Sequence, residues 1–141
     1  NLPRYAAGTN FRWVRVYSGS EMDALVRKTK DVGVVRRIAV LNRNPSGHIR
    51  TLKITGDKGI CVSEKELVIR KALGDLRSSM FKVEILFDAQ GAPAQFVFYG
   101  GGWGHGVGMC QAGARGMAEA GKSYKDILTH YFSGVQFKKI Y

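Results

Sequence analysis

The chain has 141 residues, a length that suits one domain, and 45% of them are hydrophobic, which is enough for one ordinary core. Its 22 basic and 11 acidic residues give a net charge of +11, which favours a polyanionic partner such as nucleic acid, anionic lipid or the bacterial wall. No apolar run reaches the roughly 18–20 residues of a membrane-spanning helix, and no nucleic-acid motif is present. Charge alone therefore does not choose among these partners.

The pattern of the first half of the chain predicts strands joined by tight turns, with one short helix. Residues 11–17 alternate aromatic or apolar residues with arginine, which predicts a strand. Ser20 and Asp23 fit a capping box, so a short helix is expected from there to about Thr29. Three further strands are expected, the first two forming a hairpin across the Asn-Pro-Ser-Gly turn at 44–47: residues 33–42, 48–55 and 60–62.

The second half mixes helices and strands. Ser63 and Glu66 fit another capping box, for a helix that Gly74 can end. Two strands, two helices and a last strand are expected after it: residues 81–87, 94–99, 109–120, 123–132 and 135–140. Because the strands are not separated by long crossover helices, we expect one α+β domain over residues 1–141, with mainly antiparallel strands and three to four short helices.

The two cysteines, Cys61 and Cys110, lie far apart and form no CxxC pair, so they indicate no thiol metal site. A disulfide between them is one interpretation. We expect instead that both act as small, buried apolar groups.

A glycine-rich segment is the most unusual feature, with eight glycines between Gly100 and Gly116. Glycine loses much backbone entropy on folding, so this density predicts positive φ or close approach to another group rather than stability. The segment matches the nucleotide-binding GxGxxG and GK[ST] patterns poorly. His105 lacks the partners of a metal site, since the other histidines are only His48 and His130. We therefore expect His105 to contact a substrate.

The residues around this segment resemble a known family. GWGHGVGMCQAGA at 102–114, followed by MAEAG, IL and HYFSG, is similar to the C-terminal part of the stage II sporulation protein D family (SpoIID, also SpoIID/LytB or amidase enhancer), whose pattern is GxGxGHGVGMSQ-x-GA and then IL-x-x-YY-x-G. Upstream, LRSSMF at 76–81 resembles the family's LRS-x-x-F segment. Two positions differ: Cys110 stands where the family has Ser, and Phe132 replaces the second Tyr. The Cys110 difference puts in doubt any contact that the serine hydroxyl makes.

The resemblance implies a cell-wall glycan function. Enzymes of the family are lytic transglycosylases, which cleave the MurNAc–GlcNAc bond without water. One protonated carboxyl group gives its proton to the leaving oxygen, and the C6 hydroxyl of the same sugar then bonds to the anomeric carbon. In the family, a Glu-bearing helix and a His/Cys cluster that can hold zinc precede the region matched here. We thus expect this chain to be the C-terminal portion of a SpoIID-like domain, with no catalytic residue, metal or cofactor of its own.

Under that resemblance, this chain supplies the contacts to the glycan. The expected substrate-binding residues are Trp103, Gly104, His105, Gly106, Gly108, Cys110 and Gln111. Core packing remains the alternative for Trp103, and an exposed helix position is the alternative for Gln111. Tyr131 is expected in the core. None of the 11 acidic residues is expected to be the general acid, because capping boxes or solvent faces account for them.

Two other functions stay open. One is a non-catalytic wall-binding module that enhances an N-acetylmuramoyl-L-alanine amidase. The other, supported by charge alone, is a basic nucleic-acid-binding domain. The expected partners are peptidoglycan glycan strands and a cell-wall amidase, not nucleic acid. The expected location is extracytoplasmic (wall, periplasm or the space between forespore and mother cell), with any membrane anchor in a segment upstream of this chain.

Overall fold

The computed structural model describes residues 11–138. These residues divide into a larger compact unit, Arg12–His105, and a smaller one that contains Phe11 and residues 106–138. None of the helices within the described range is long and apolar enough to cross a bilayer.

The larger unit contains six strands and two helices: β1 Arg12–Ser18, α1 Gly19–Arg27, β2 Val35–Arg43, β3 Ile49–Gly56, β4 Ile60–Glu64, α2 Glu66–Ala72, β5 Phe81–Phe87 and β6 Pro93–Gly101. The strands form two three-stranded sheets, with the orders β1-β6-β5 and β2-β3-β4, and every pair is antiparallel. The expected α+β fold with short helices is confirmed. The expected hairpin between β2 and β3 also forms, and its turn is closed by a hydrogen bond from the Gly47 N–H to the Asn44 carbonyl at 2.9 Å.

Alternation along the strands builds the core. Phe96 and Phe98 of β6 point to the same side and are fully buried, and Phe81 of β5 and Trp13 of β1 are also buried. Phe81 and Phe98 meet edge to face with ring centroids 5.3 Å apart, an arrangement that aromatic quadrupoles favour. Each such side chain contributes roughly 1.5–3 kcal/mol through burial, so this aromatic cluster fixes the first sheet. Cys61 joins the core as expected.

Helix α1 begins two residues earlier than predicted. Its N-cap is Ser18, whose hydroxyl accepts from the Glu21 N–H at 3.2 Å, and the Glu21 carboxylate accepts in return from the Ser18 N–H at 2.8 Å. The proposed Ser20–Asp23 box is wrong. Asp23 instead accepts a hydrogen bond from the Val35 N–H at 2.7 Å, so it ties the helix to the start of β2.

The second predicted capping box is also wrong. Ser63 lies buried within β4, where it pairs with Leu52 of β3. The N-cap of α2 is Lys65, which has a φ of 70° and makes no side-chain capping bond. Pairing with β3 therefore takes precedence over the local capping pattern, and Glu66 forms an ion pair with Arg70 at 3.4 Å instead.

The smaller unit contains two helices, α3 Gln111–Glu119 and α4 Tyr124–Tyr131. The Ser123–Asp126 capping box of α4 is confirmed, while α3 begins two residues later than expected. Residues 135–138 form no strand, contrary to the prediction, and the remainder of that segment lies outside the described residues. No described residue of this unit is buried, so Tyr131 is only half-buried and Cys110 is exposed, against expectation.

Candidate functional site

The start of the glycine-rich segment is held by the indole of Trp13. The indole N–H donates to the Gly102 carbonyl at 3.1 Å, and its ring lies against Gly100 of β6. A Cβ built on Gly100 would stand 2.0 Å from the Trp13 ring, so only glycine fits there without movement. This close approach explains one of the glycines by packing.

The LRSSMF segment holds the next residues of the loop. The Ser78 hydroxyl donates to the Gly101 carbonyl at 2.6 Å, and the Gly104 N–H donates to the Arg77 carbonyl at 3.0 Å. Ser78 is fully buried and forms an isolated parallel bridge with Gly104. Two segments that the sequence separates by more than twenty residues thus form one structural element.

Four alternate glycines, Gly102, Gly104, Gly106 and Gly108, all have positive φ, between 68° and 92°. Residues with a Cβ rarely adopt this conformation, so the alternation explains why glycine recurs at these positions. A Cβ on Gly104 or Gly108 would meet no atom within 4 Å. Conformation, rather than crowding, is what requires glycine at those two positions.

The side chain of Trp103 is presented to solvent. It is 70% exposed, so the core-packing alternative is wrong. The Arg77 guanidinium lies 5.0 Å from the centroid of its ring, within the range of a cation–π contact. The structure therefore presents an exposed indole beside a cation, on a loop that Trp13 and Ser78 hold in place.

His105 is also exposed, and its charge acts on a second histidine, His48, which the sequence analysis did not include in this site. Burial lowers the pKa of His48, the nearby Glu66 carboxylate raises it, and the charge of His105 lowers it further. Backbone contacts explain this proximity, because the Ile49 N–H donates to the Ser79 carbonyl at 3.0 Å and Ser78 bridges to Gly104. Residue type is the one feature of His48 that is visible in the sequence.

The remaining predicted site residues lie in the smaller unit. The sulfur of Cys110 accepts from the Gly113 N–H at 3.4 Å and caps α3. The thiol thus makes a capping contact at the position where the related pattern has serine. Gln111 is the first residue of α3 and is exposed, as the alternative interpretation expected. Trp103, Gly104 and His105 belong to the larger unit, and Gly106, Gly108, Cys110 and Gln111 to the smaller one.

Helix α3 packs on α4 through another glycine of the motif. A Cβ on Gly113 would stand 2.0 Å from the hydroxyl oxygen of Tyr131. This contact assigns Gly113 and Tyr131 a structural role within the smaller unit. It also links the QxGA and HYFSG parts of the pattern.

The acidic residues offer no carboxyl group that is both enclosed and without a partner. All 11 lie within the described range, and nine are exposed. The two half-buried ones have partners: Asp23 accepts from the Val35 N–H, and the Glu66 side chain, 14% exposed, pairs with Arg70. Hydrogen bonds from Ser18 hold the pKa of Glu21 below its usual value, the opposite of what a general acid needs. Among residues 11–138, no three His, Cys, Asp or Glu are placed to hold a metal ion.

Comparison with known proteins places the chain in a family. Residues 5–108, more than half of the chain, match the model of a family described as a domain of unknown function (DUF8618), and the chain belongs to that family. Named relatives then confirm the resemblance to the stage II sporulation protein D family. The protein called Stage II sporulation protein D from Bacillus amyloliquefaciens is 39% identical over 97 residues, which is 69% of this chain and 25% of that protein.

Two further relatives match shorter stretches. The Amidase enhancer of Bacillus subtilis (strain 168) is 49% identical over 41 residues, 29% of this chain and 6% of that protein. An uncharacterized protein of Brachyspira hyodysenteriae (strain ATCC 49526 / WA1) is 59% identical over 39 residues, 28% of this chain and 11% of that protein. The chain therefore spans a quarter or less of the length of these relatives.

Proposed function

We propose that this chain binds peptidoglycan glycan strands and forms the glycan-contacting portion of a lytic transglycosylase of the SpoIID type. The observation that carries the proposal is the exposed Trp103, which projects from a loop anchored by Trp13 and Ser78. An anchored loop presents its side chains to a ligand at a low entropic cost, because little order remains to be gained on binding.

The chemistry of this loop suits a sugar. The face of the Trp103 indole can cover the C–H face of a pyranose. His105, two residues further along the chain, can donate a hydrogen bond to a sugar hydroxyl or accept one from it. A Cβ on Gly104 would meet no atom within 4 Å, so a ligand can approach the backbone closely on that side of the residue. The net charge of +11 adds attraction to an anionic polymer.

The general acid of the reaction is proposed to come from outside this chain. A lytic transglycosylase needs one carboxyl group that is protonated near neutral pH, which an enclosed setting provides. The described carboxyl groups are exposed or paired, so none fits that role. We expect the chain alone to release no 1,6-anhydro sugars from glycan strands whose peptides have been removed. Release at an enzymatic rate would show that the acid is present here.

A second candidate function is a non-catalytic wall module that assists an amidase outside the cytoplasm. The relative named Amidase enhancer favours it. The same loop would serve both functions, so the two differ in whether an acid acts beside it. Detection of anhydro products from the longer natural protein favours the first, and stimulation of an amidase without such products favours the second.

The binding experiment compares two exposed aromatic residues. Trp103→Ala should weaken binding to purified peptidoglycan by about tenfold, or about 1.4 kcal/mol. Phe87→Ala is the matched control, because Phe87 is 59% exposed on the same unit but lies at the far end of β5. Both variants should melt within a few degrees of the wild-type protein, because neither change removes a buried side chain.

His105→Ala tests the second contact. In the longer natural protein it should lower glycan turnover by roughly tenfold, equivalent to about 1.4 kcal/mol of barrier, with an unchanged melting temperature.

Equal binding by wild type, Trp103→Ala and Phe87→Ala would contradict the assignment of the loop. Tighter binding to DNA than to peptidoglycan at physiological salt would instead favour the nucleic-acid alternative.

A further inference from the structure

A pocket of about 580 Å³ opens at one end of the second sheet. Five polar or charged residues line it: Asn42 of β2, Arg50 and Thr51 of β3, Glu64 of β4, and Lys65, which follows that strand. All five belong to the larger unit, and none of them takes part in anchoring the glycine-rich segment. Pockets for small ligands have volumes of about 300–1,000 Å³, so this one is large enough for a ligand of amino-acid size.

The strand register brings three of these residues into one row. Asn42 pairs with Thr51, and Thr51 pairs with Glu64, so the three side chains lie on the same face of the sheet. The ladder between β2 and β3 shifts register on both sides of Asn42. Bulges of this kind re-aim side chains and are over-represented next to active sites. The row thus presents an amide, a hydroxyl and a carboxylate side by side.

The backbone of Lys65 is strained at the edge of this pocket. Its φ is 70°, a conformation that residues with a Cβ rarely adopt. The Lys65 carbonyl accepts from the Ile69 N–H at 3.2 Å, so the first turn of α2 holds the conformation in place. Strained residues cluster at ligand-binding and catalytic sites. Here the strained residue supplies the pocket with a cation in addition to Arg50.

The charges in the pocket are not used by the fold. Among residues 11–138, Arg50, Glu64 and Lys65 form no ion pair and no side-chain hydrogen bond, and all three are exposed. The next acidic residue along the chain, Glu66, is by contrast paired with Arg70 at 3.4 Å. Opposite charges that line one pocket without pairing are available to a ligand that carries both.

A zwitterion matches this lining better than a simple ion. An anion would be attracted by Arg50 and Lys65 but repelled by Glu64, and a cation would meet the reverse. An α-amino acid carries a carboxylate and an ammonium group on one carbon atom, so it can pair with a guanidinium and with Glu64 at the same time. Asn42 and Thr51 offer neutral hydrogen-bonding groups to the same ligand.

We propose that this pocket binds the zwitterionic centre of an α-amino acid, with Arg50 and Lys65 contacting its carboxylate and Glu64 its ammonium group. Two sources supply this chemistry: a free amino acid, and the diamino acid of a bacterial wall peptide, whose side chain ends in the same two groups. Binding here does not require the glycan contacts of the Trp103 loop, so the two proposals can fail separately.

The test uses two substitutions that change the net charge in opposite directions. Arg50→Gln lowers the charge by one unit and Glu64→Gln raises it by one, yet each removes a contact to the zwitterion. The matched controls, Arg36→Gln on β2 and Glu84→Gln on β5, change the charge equally at exposed positions outside the pocket. All four side chains are exposed, so the melting temperature of each variant should stay within about 2 °C of the wild-type value.

Binding is measured by titration calorimetry with three probes. The first is the wall peptide N-acetyl-L-Ala-γ-D-Glu-meso-diaminopimelate, which carries the zwitterionic centre on its last side chain. The second is the same peptide with that ammonium group acetylated, so that only the carboxylate remains. The third is D-alanine, which has the zwitterionic centre but no peptide.

We expect Arg50→Gln and Glu64→Gln each to weaken binding of the wall peptide by about tenfold, because each removes a charge-assisted hydrogen bond. The two controls should change it by less than about threefold, as exposed charges outside a contact do. Wild-type protein should bind the acetylated peptide about tenfold more weakly than the unmodified one. Binding of D-alanine as tight as that of the peptide would support a free amino acid as the ligand, and much weaker binding would support the wall peptide.

Three results would overturn the proposal. Tighter binding of the wall peptide by Glu64→Gln would show a site for anions alone. Equal losses in Arg50→Gln and Arg36→Gln would show attraction by the whole basic surface rather than by the pocket. Absence of binding to all three probes would overturn the pocket while leaving glycan binding through Trp103 untouched. Conversely, binding of the peptide by a protein that does not bind glycan strands would support the pocket and overturn the glycan function.

Discussion

Replacing Gly100 by alanine tests how tightly the glycine-rich segment is built on β1. The added Cβ would stand 2.0, 2.2 and 2.4 Å from three atoms of the Trp13 ring, where ordinary carbon–carbon contacts are about 3.5–4.0 Å. Trp13 is 6% exposed and is held by the Phe81 ring on one side and the Gly102 carbonyl at its N–H. The ring must therefore move by more than an ångström, and its hydrogen bond must stretch or break.

The expected cost follows from these two effects. Overpacking costs about 1–3 kcal/mol, and a lost hydrogen bond about 1 kcal/mol more, so Gly100→Ala should destabilise the protein by roughly 2–4 kcal/mol. For a chain of this length, that corresponds to a fall of roughly 8–16 °C in melting temperature. Gly59→Ala is the matched control, because its Cβ would meet no atom within 4 Å and its φ is not positive. It should change the melting temperature by no more than about 2 °C.

A double variant isolates the clash from other effects of alanine. If the Trp13 ring causes the cost, Gly100→Ala should cost much less when Trp13 is already replaced by valine, since the two effects are then not additive. Melting followed by circular dichroism and calorimetry would measure all four proteins. A melting temperature of Gly100→Ala within 2 °C of Gly59→Ala would refute the argument that Trp13 anchors the loop.

Three other substitutions test local features of the fold. Gly113→Ala should destabilise the smaller unit by about 1–3 kcal/mol through its clash with the Tyr131 hydroxyl. Most of that cost should vanish in combination with Tyr131→Phe, because the nearest remaining ring atom lies 3.3 Å from the added Cβ, and helical circular dichroism on heating measures both effects. Ser18→Ala should cost about 1 kcal/mol as the loss of an N-cap, whereas Ser20→Ala should cost under about 0.5 kcal/mol, in denaturant melts. Burial lowers the pKa of His48 below its usual value of 6.5, so folding favours the neutral ring and stability is lost as the pH falls through that value. His48→Gln should therefore flatten the dependence of the unfolding free energy on pH between about pH 7 and 5.5. An unchanged slope of that dependence would contradict this.

The positions of β1 to β6 were predictable because their signal is local, whereas the strand predicted at the end of the chain does not form over residues 135–138. The alternation of residues 11–17 reflects one buried and one exposed face, and the structure has β1 at Arg12–Ser18. The Asn-Pro-Ser-Gly turn is likewise determined by its own residues, because Pro presets one turn angle and Gly47 takes a positive φ of 87°. These features depend on a few neighbouring residues, so one sequence is enough to find them.

Helix starts were less predictable because several residues fit the same local rule. The prediction named Ser20 as the cap, but β1 ends at Ser18 and that serine caps the helix instead. At Ser63 the pattern was complete, but the ladder with Leu52 keeps that residue in β4. Tertiary pairing adds backbone hydrogen bonds and buried surface, which together outweigh a cap worth about 1 kcal/mol.

The orientation of Trp103 is the feature that sequence could not decide. Its neighbours permit either a core or an exposed position, and the deciding contacts come from elsewhere: Trp13 bonds to Gly102 across 89 residues, and Ser78 bonds to Gly101 across 23. These two bonds hold the backbone in place, and Gly102 and Gly104 have positive φ on either side of Trp103. The indole of Trp103 therefore lies outside the core. The family pattern names the glycines and the LRS segment separately. In the structure these two segments are in contact, because Ser78 bonds to Gly101 and the Gly104 N–H bonds to Arg77.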